Sequence, residues 1–348
     1  MSSVRVVVLG VNGATGRAIA SRLCDEGAAV VGTGREILRF PTQLRDRGVR
    51  FVRSDRHDPA ALGRVLAAGA DVVVDCLCYT AEHAKQLLAH RESFGSAVVL
   101  SSKAVYVDDH GRHANSDDSP RFDGPVSEAQ PVLEPDFSGA YQSREGYGTN
   151  KVAAELTLRE SGAPVSILRA SRVHGRGGSR PREWFVVRRL LDGRDRIPLA
   201  HHGQTGNHPT AAVNLASLVA ACAQRPAARV LNAADPDIPI AADIVLAIAS
   251  ACQRTVEIVG LDDAAPAEFG WTPWSTWPPF FLDTTASLRL GYQPAGSYSH
   301  TVAPAVHELL ELSCDERARW RDDPYFDRRF DYTIDDAALA YRDQSAAR

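Results

Sequence analysis

The sequence lacks the features by which several classes of protein are recognised. It has no run of lysine or arginine, and the formal net charge of its 348 residues is -4, so nothing points to nucleic acid as a partner. No stretch approaches the roughly 20 apolar residues of a membrane span. The short apolar run at the start of the chain is also a poor secretory signal. We therefore expect a cytoplasmic protein with no nucleic-acid or membrane partner.

Cysteine and histidine spacing gives no sign of redox or metal chemistry. The six cysteines form no C-x-x-C pair, which is typical of reduced thiols in a cytosolic protein. His201, His202 and His208 lie close together, but no cysteine or carboxylate stands at metal-ligand spacing from them. We expect these histidines to be loop residues, and we expect no metal site.

Apolar runs of strand length alternate with helical segments along most of the chain. The runs are Val4–Leu9, Ala28–Val31, Val49–Val52, Asp71–Leu77, Ala97–Leu100, Val165–Leu168 and Val230–Asn232. This alternation predicts an α/β fold, a Rossmann-type doubly wound parallel sheet. A loop over residues 107–146 has no periodicity, so it is either disordered or functional, and a helix over Tyr147–Glu160 follows it.

The chain divides by composition into a core, a lobe and a tail. The expected parts are a dinucleotide-binding Rossmann core (1–170, with 211–236 returning to it), a smaller C-terminal substrate-binding lobe (171–210 and 237–312) and a C-terminal extension (313–348). The lobe holds a cluster of tryptophans, among them Trp274, which could stack on a sugar or aromatic ring or simply pack the lobe. The extension would wrap the surface or a partner subunit, and we leave a homodimer open.

Three glycines follow the first predicted strand in G-V-N-G-A-T-G. Such glycines permit a tight turn and a close approach of the backbone to a pyrophosphate. The next helix would present its free N–H groups and partial positive charge to the phosphates. The cofactor-binding residues expected here are Gly10, Asn12, Gly13, Ala14, Thr15 and Gly16. The alternative is an ordinary tight turn between strand and helix.

The end of the second predicted strand lacks the acidic residue that usually binds the ribose of NAD. Gly34 and Arg35 stand there instead. A carboxylate would repel a 2′-phosphate, whereas an arginine can pair with it through two N–H groups. We therefore favour NADP over NAD as the cofactor. The alternative is that Arg35 is a solvated loop residue and NAD binds without the acidic contact.

Tyr147 and Lys151 stand four residues apart on a predicted helix, so the phenol and the ammonium share one face. A fixed cation near a phenol stabilises the phenolate, which would let Tyr147 act as a general acid or base. Ser101 and Ser102 end the fifth predicted strand, at the edge where parallel sheets bind ligands. A hydroxyl there could hydrogen-bond the reacting oxygen, or it could cap local backbone.

Together these motifs resemble the extended short-chain dehydrogenase/reductase family, the NAD-dependent epimerases, dehydratases and reductases. The resemblance covers roughly Val4 to Leu312. Besides the glycine loop it rests on Asp55 after the third strand, S-S-x-x-V-Y at 101–106, Y-G-T-N-K at 147–151 and L-R-A-S-R-V-H-G at 168–175. The resemblance implies that Ser102, Tyr147 and Lys151 are catalytic. It also implies a cofactor site that includes Asp55, at the adenine, and Cys76, Leu77 and Cys78, along the cleft.

The departures from the family pattern concern the substrate. Family dehydratases carry Asp-Glu directly after the catalytic hydroxyl, but Lys103 and Ala104 stand there in this chain, which argues against dehydration. We expect Lys103 to face the substrate instead. Nucleotide-sugar epimerases place an arginine where this chain has Asn207, so the usual contact with the diphosphate is missing.

Several arginines could replace that contact. Arg172 stands where the family often has a substrate-facing asparagine. With Arg176, Arg180 and Arg182 it could hold a carboxylate or a single phosphate.

The combined expectation is an enzyme of biosynthesis that transfers a hydride between NAD(P) and a secondary alcohol or ketone carbon of a small sugar-like or ring-containing metabolite. If the ketone leaves, the enzyme is a dehydrogenase or reductase. If the ketone rotates and takes the hydride back, it is an epimerase, and both stay open. The alternative is a non-catalytic dinucleotide-binding regulator or sensor, although such proteins typically lose the Tyr or Lys that this chain keeps.

Overall fold

The computed structural model describes residues 3–320, 323–326 and 329–346, which form two units. Unit 1 comprises 1–173, 212–234 and 282–295, and unit 2 comprises 174–211, 235–281 and 296–348. The sequence places 282–295 in the lobe, but this segment belongs to unit 1. The physical reason is hydrogen bonding: the Asp283 N–H donates to the Val126 carbonyl, and the Asp283 carbonyl accepts from Asn232 Nδ2.

Unit 1 is built on a seven-stranded sheet. The strands of the chain are β1 (Arg5–Leu9), β2 (Ala29–Gly34), β3 (Arg50–Arg53), β4 (Ala70–Asp75), β5 (Phe94–Ser102), β6 (Val165–Ala170), β7 (Val173–His174), β8 (Arg196–Leu199), β9 (Thr210–Ala211), β10 (Arg229–Ala233) and β11 (Glu257–Gly260). The large sheet has the order β10-β6-β5-β4-β1-β2-β3, and all its strands are parallel. The predicted Rossmann-type, doubly wound α/β fold is confirmed, with the strand order reversing beside β1.

Helices cover both faces of the sheet in unit 1 and make up much of unit 2. They are α1 (Ala14–Asp25), α2 (Thr42–Asp46), α3 (Pro59–Leu66), α4 (Ala81–Leu88), α5 (Arg144–Glu160), α6 (Trp184–Leu191), α7 (Ala212–Gln224), α8 (Ala241–Ala251), α9 (Thr285–Arg289), α10 (Tyr298–Glu311), α11 (Cys314–Ala318) and α12 (Tyr332–Ala346). Successive residues of a strand point to opposite faces, so Val6 and Val8 enter one core and Val7 and Leu9 the other. Burial on both faces explains why a middle strand such as β1 is almost continuously apolar.

Two elements have other bounds than the sequence predicts. Strand β4 ends at Asp75 instead of Leu77, because the Asp75 carboxylate accepts the Leu77 N–H at 2.8 Å and turns the chain. Cys76 and Cys78 therefore lie beyond the strand and not on it. Helix α5 begins before Tyr147, at Arg144, because the preceding Ser143 hydroxyl accepts the Gly146 N–H at 2.8 Å as an N-cap.

The long loop before α5 is ordered around one carboxylate. Asp108, 5% exposed, accepts backbone N–H groups from His110, Arg112 and Arg121, each at 2.9 Å, and the Arg112 guanidinium at 2.7 Å. Burial opposes the charge, but these donors together outweigh it and lower the pKa of Asp108 to about 2. Of the two readings that the sequence leaves open, disorder is therefore excluded for this loop.

Asp108→Asn is expected to lower the free energy of unfolding at neutral pH by about 2 kcal/mol. A carboxyl whose folded pKa is depressed stabilises the protein above its unfolded pKa, near 3.8, and loses that contribution as the pH falls towards about 2. Urea unfolding across this pH range should therefore show a shallower decline for the variant than for the wild type. Asp118→Asn, an exposed change in the same loop, is the matched control. Equal acid sensitivity of the wild type and Asp108→Asn would contradict this account.

Unit 2 packs helices around a two-stranded sheet. Strand β8 pairs in parallel with β11, and α6, α8 and α10 pack against one another. Its core is aromatic and includes Trp184, Trp274, Tyr298, Trp320 and Phe326.

The C-terminal extension packs on unit 2 of the same chain. Trp320 and Phe326 enter its core, and the Trp320 indole N–H donates to the Ser179 carbonyl at 3.0 Å. From α12, Asp335 forms an ion pair with Arg189. Wrapping of the chain's own surface is thus observed for the described part of the tail. No helix among the described residues is long and apolar enough to span a bilayer.

Candidate active site

The glycine loop joins β1 to α1 and leaves the start of that helix open. Gly10 has a φ of +94°, and a Cβ there would lie 2.9 Å from Leu77 Cγ, so Leu77 packs directly on the loop. A Cβ on Gly16 would lie 2.3 Å from the Gly10 carbonyl oxygen, which leaves no room for a side chain. Gly13 is the N-cap of α1, no side chain caps this end, and a Cβ there would meet nothing closer than 3.9 Å. The loop therefore exposes free helix N–H groups on an accessible side, as a pyrophosphate requires.

Asn12 ties the loop to the end of β2. Its Nδ2 donates to the Glu36 carbonyl at 2.8 Å, and it lies so close to Gly34 that a Cβ there would be 2.7 Å away. Its buried Oδ1 has no hydrogen-bond partner among the described residues, and a ribose hydroxyl is a donor of the kind it needs. The residues of the glycine loop thus fit an adenine dinucleotide.

Basic side chains gather near the end of β2. Arg35 follows the strand directly and is exposed, so its guanidinium is accessible to a phosphate group. Arg17, in the first turn of α1, donates from Nε to the Asn12 carbonyl at 3.0 Å and from Nη2 to the Arg39 carbonyl at 3.2 Å. Sequence reasoning missed Arg17, although a cation directly after the third glycine was a usable signal.

Asp55 lies two residues after the end of β3 and is half-buried, where the family resemblance places the adenine. Its Oδ1 accepts the His57 N–H at 3.0 Å, which fixes the turn. The neighbouring Arg56 is buried and pairs with Asp75 at 2.7 Å, which holds the turn after β3 against the end of β4. The pKa of Arg56 is raised although burial opposes its charge, because the contacts with Asp75 outweigh it.

The two cysteines after β4 lie beside this pair, in an environment that disfavours their thiolate forms. Burial is the main cause that raises the pKa of both thiols, to about 12 for Cys78, and the nearby Asp75 charge adds to it. Cys76 also lies next to the glycine loop, since its N–H donates to the Leu9 carbonyl at 3.2 Å. A packing role beside the cofactor region suits both residues.

The two serines at the end of β5 have different tasks. Ser101 is buried and donates to Glu155 of α5. The half-buried Ser102 accepts the Ala104 N–H at 3.2 Å, which starts a 3₁₀ turn over Lys103–Val105. The local capping considered from the sequence is therefore present, but it uses only the oxygen of Ser102. The hydroxyl proton remains available to a ligand.

Helix α5 presents Tyr147, Lys151 and Glu155 at intervals of four residues. Lys151 is 3% exposed, and its Nζ donates to the carbonyls of Cys78 at 2.7 Å and Leu100 at 2.9 Å. These carbonyls follow β4 and lie within β5, so the ammonium is fixed at the carboxyl edge of the sheet. Tyr147 is half-buried, and its phenol has no hydrogen-bond partner among the described residues.

Glu155 locks this helix to the sheet. It is 3% exposed and accepts Nε and Nη2 of the buried Arg169 on β6, at 3.1 and 2.6 Å. This bidentate ion pair sets the register of α5 against β6. That register in turn sets the height of Lys151 above the edge of the sheet.

Lys103 and Arg172 lie close to Ser102 in the sheet register. Ser102 is the partner of Ala170 across β5 and β6, and Arg172 comes two residues further along. Arg172 is in the left-handed region, with φ +33°, a strained conformation that non-glycine residues adopt mainly at functional sites. Lys103 is 4% exposed, so any contact with a ligand would take place in a pocket and not at the surface.

Several residues expected at the substrate are engaged within unit 2. Trp274 is 1% exposed in the aromatic core, so it packs the lobe and cannot stack on a ligand there. Arg176 and Arg180 form ion pairs with Glu308 and Asp323, at 4.0 and 2.8 Å. Burial was the missing information, because a tryptophan in a Pro-rich segment has the same sequence pattern whether it faces inwards or outwards.

Asn207, which the family resemblance aligns with an arginine of the nucleotide-sugar epimerases, is turned towards a neighbouring hydroxyl. It is 2% exposed, and its Nδ2 donates to the Thr276 hydroxyl at 2.8 Å. Of the nearby histidines, His208 is buried and binds the carbonyls of Asp235 and Asp237, while His201 pairs with Asp263 at 2.7 Å. Among the described residues, no group of three or more His, Cys, Asp or Glu could hold a metal ion.

A parallel, doubly wound sheet with a glycine loop after β1 defines a Rossmann-type dinucleotide-binding protein. The sequence profile of the NAD dependent epimerase/dehydratase family matches residues 6–233. The chain therefore belongs to this family, as the resemblance noted from its motifs predicts. No curated protein matches the chain in sequence.

Several solved structures with the same fold are named as enzymes of nucleotide sugars. UDP-glucuronic acid 4-epimerase from Bacillus cereus, in complex with NAD, is 17% identical with a TM-score of 0.65, over 89% of this chain and 100% of that one. dTDP-glucose 4,6-dehydratase from Bacillus anthracis, also with NAD, is 13% identical with a TM-score of 0.64, over 91% and 98%. UDP-glucose 4-epimerase from Thermotoga maritima, with UDP-glucose, is 14% identical with a TM-score of 0.64, over 88% and 99%. At these identities the likeness extends to the fold alone.

Proposed function

We propose that this protein is an NAD(P)-dependent enzyme that exchanges a hydride with the secondary alcohol or ketone carbon of a small sugar-like or ring-containing metabolite. The observation that carries the proposal is the arrangement of α5 and the sheet edge. Lys151 is held by one carbonyl after β4 and one within β5, and Tyr147 stands one turn before it. Ser102, at the end of β5, uses only its oxygen in a hydrogen bond with the described residues.

Each of these residues has a distinct part in the reaction. Tyr147 gives a proton to the substrate oxygen in reduction and takes it in oxidation. Ser102 donates a hydrogen bond to the same oxygen, and Lys151, one helical turn after Tyr147, supplies a fixed positive charge on the same face of the helix. The glycine loop and Asp55 would hold the pyrophosphate and the adenine of a nicotinamide dinucleotide, which would supply or accept the hydride.

The substrate is proposed to carry a single anionic group and no nucleotide diphosphate. Asn207, buried against Thr276, offers no cation for a diphosphate. Lys103 and Arg172, close to Ser102 in sequence and in strand register, are the cations proposed to bind a carboxylate or one phosphate. Dehydration is disfavoured, because Lys103 and Ala104 occupy the places of the two carboxylates that would remove water.

The fate of the cofactor tests the proposal and separates reductase from epimerase. The purified protein is analysed for bound dinucleotide by mass spectrometry and is then mixed with NADPH or NADH and a panel of hydroxy and keto acids, sugars and sugar phosphates. Stoichiometric loss of reduced nicotinamide would identify a reductase. Isomerisation by a bound dinucleotide that does not exchange would identify an epimerase. Failure to bind either dinucleotide would contradict both.

We also propose NADP as the preferred cofactor. The support is Arg35, exposed directly after β2, with Arg17 close by in the first turn of α1. The residues at the end of β2, Gly34 and Arg35, include no carboxylate. Glu36 follows them, and its carbonyl accepts a hydrogen bond from Asn12 Nδ2.

Arg35→Ser is expected to raise the Kd for NADPH by about tenfold or more, because one charge-assisted contact with the 2′-phosphate is lost. The Kd for NADH should stay within about twofold, since NADH has no phosphate there. Tryptophan-fluorescence titration measures both constants. Arg45→Ser, an exposed change on α2, is the matched control. Equal increases in Kd for NADPH and NADH would show that Arg35 does not bind the 2′-phosphate.

A further inference from the structure

Lys151 has a third partner that the family motifs do not include. Its ammonium nitrogen lies 4.4 Å from the centre of the Tyr79 ring, over the face of that ring. Two of its three N–H groups are used by the carbonyls of Cys78 and Leu100, so the aromatic face is the remaining contact in the direction of β4. A cation over an aromatic face is attracted by the ring's negative quadrupole, most strongly where water is excluded.

Tyr79 is itself held on several sides. Its ring stacks on Tyr141, with the centroids 4.9 Å apart and the planes at 7°. Its backbone N–H donates to His83 Nδ1 at 3.1 Å, and His83 Nε2 contacts His57 Nδ1 at 2.9 Å. Because Nδ1 accepts, the proton of a neutral His83 must lie on Nε2. Burial, with help from the Arg56 charge, lowers the pKa of His83 to about 4, so this arrangement persists at neutral pH.

The ring centre of Tyr79 is also 6.5 Å from that of Tyr147. Tyr79 therefore contacts the fixed ammonium and also neighbours the ring of the phenol that we propose as acid or base. We propose that Tyr79 is a positioning residue for the catalytic pair, holding the Lys151 ammonium through its ring face so that the charge stays close to Tyr147. This inference rests on the proposed function, since it assigns Tyr79 a task in that same reaction.

Other ionisable groups face the same ammonium and are kept constant in the test. They are Cys76 and Cys78 after β4 and His83 at the start of α4, and the carboxylate of Asp75 acts on all three of these groups. Burial is the main cause that raises the pKa of Tyr79 itself, so it remains a neutral phenol and presents an intact π face. The ring, and not the hydroxyl, is thus the part that acts.

The test measures the ionisation of Tyr147 directly, without a substrate. The near-ultraviolet absorbance of each protein is titrated with pH and compared with that of the same protein carrying Tyr147→Phe, so that the difference reports one phenol. Tyr79→Leu removes the ring and should move the Tyr147 midpoint upwards by about half to one pH unit, because the ammonium is no longer held beside it. Tyr79→Phe keeps the ring and should leave the midpoint within error.

Three comparisons decide the outcome. Tyr141→Leu removes the stacked neighbour but no contact of Lys151, so a shift as large as that of Tyr79→Leu would overturn the proposal. Equal shifts for Tyr79→Phe and Tyr79→Leu would also overturn it. Lys151→Met distinguishes a wrong role for Tyr79 from a wrong proposed function. If Lys151→Met raises the Tyr147 midpoint while Tyr79→Leu does not, only the role of Tyr79 is wrong. If Lys151→Met has no effect on that midpoint, the proposed function loses its activated phenol. Circular dichroism checks folding, and Tyr79→Met replaces the leucine variant if that one does not fold.

Discussion

Tyr147→Phe is expected to lower kcat for hydride exchange about 10²- to 10⁴-fold, the usual contribution of a positioned acid or base. The variant keeps the aromatic ring and loses only the hydroxyl, which has no hydrogen-bond partner among the described residues, so the fold should be unaffected. The absorbance of reduced nicotinamide measures the rate, with the substrate that the cofactor experiment identifies. Dinucleotide affinity should change little, because the glycine loop and Asp55 are untouched.

The control for this variant is Tyr141→Phe. Tyr141 lies in the same aromatic group, stacked on Tyr79, and the change deletes one hydroxyl near the site without deleting a ring. It should lower kcat no more than a few-fold. If Tyr147→Phe retained more than about a tenth of the wild-type rate, Tyr147 would not be the principal proton donor and the site would need another acid.

Arg169→Met is expected to lower the free energy of unfolding by about 3–5 kcal/mol, because it leaves the Glu155 carboxylate buried without its cation. Arg169 and Glu155 are each 3% exposed, and three hydrogen bonds join them. Burial opposes the charge of Arg169, yet its pKa is raised, since the contacts with Glu155 outweigh burial. The guanidinium also lies 4.8 Å from the Tyr106 ring centre.

Urea unfolding measures the effect, and two further variants interpret it. Arg22→Met removes an i,i+4 ion pair with Glu26 on α1 whose arginine side chain is 42% exposed, and it should cost less than about 1 kcal/mol. Arg169→Met combined with Glu155→Met should recover part of the loss, since the uncompensated charge is gone. A cost near that of Arg22→Met for the single Arg169 change would show that the buried pair does not anchor α5.

The strands and helices of unit 1 were predictable because their signals are local. Continuous apolar runs located all seven strands of the large sheet, with end shifts such as that of β4. Those shifts arise from single side chains, since the Asp75 carboxylate ends β4 and the Ser143 hydroxyl starts α5. The glycine loop was predictable for the same reason, because three glycines between a strand and a helix restrict the backbone whatever the rest of the chain does.

The candidate site was only partly predictable. Ser102, Tyr147 and Lys151 follow from motifs, whereas choosing Ser102 over Ser101 on physical grounds required the contact of Ser101 with Glu155. Trp274 could not be assigned, since its pattern fits a ligand platform and a core equally well, and only its burial shows that it belongs to the core. Tyr79 was missed, although an aromatic residue in the short segment between the buried strand β4 and the next helix was a signal that could have been used.

By itself, the sequence determined the Rossmann fold, the glycine loop after β1 and the Tyr147–Lys151 spacing. These depend on apolar periodicity, on glycines at fixed spacing and on an i,i+4 helix repeat, all of which act over a few residues. Only the tertiary structure decided that Lys151 binds the carbonyls of Cys78 and Leu100 and faces Tyr79, that Asn207 turns to Thr276, and that 282–295 joins unit 1. The physical reason is distance along the chain: Lys151 and Cys78 are 73 residues apart, and such contacts depend on how the strands pair and which side chains the core buries.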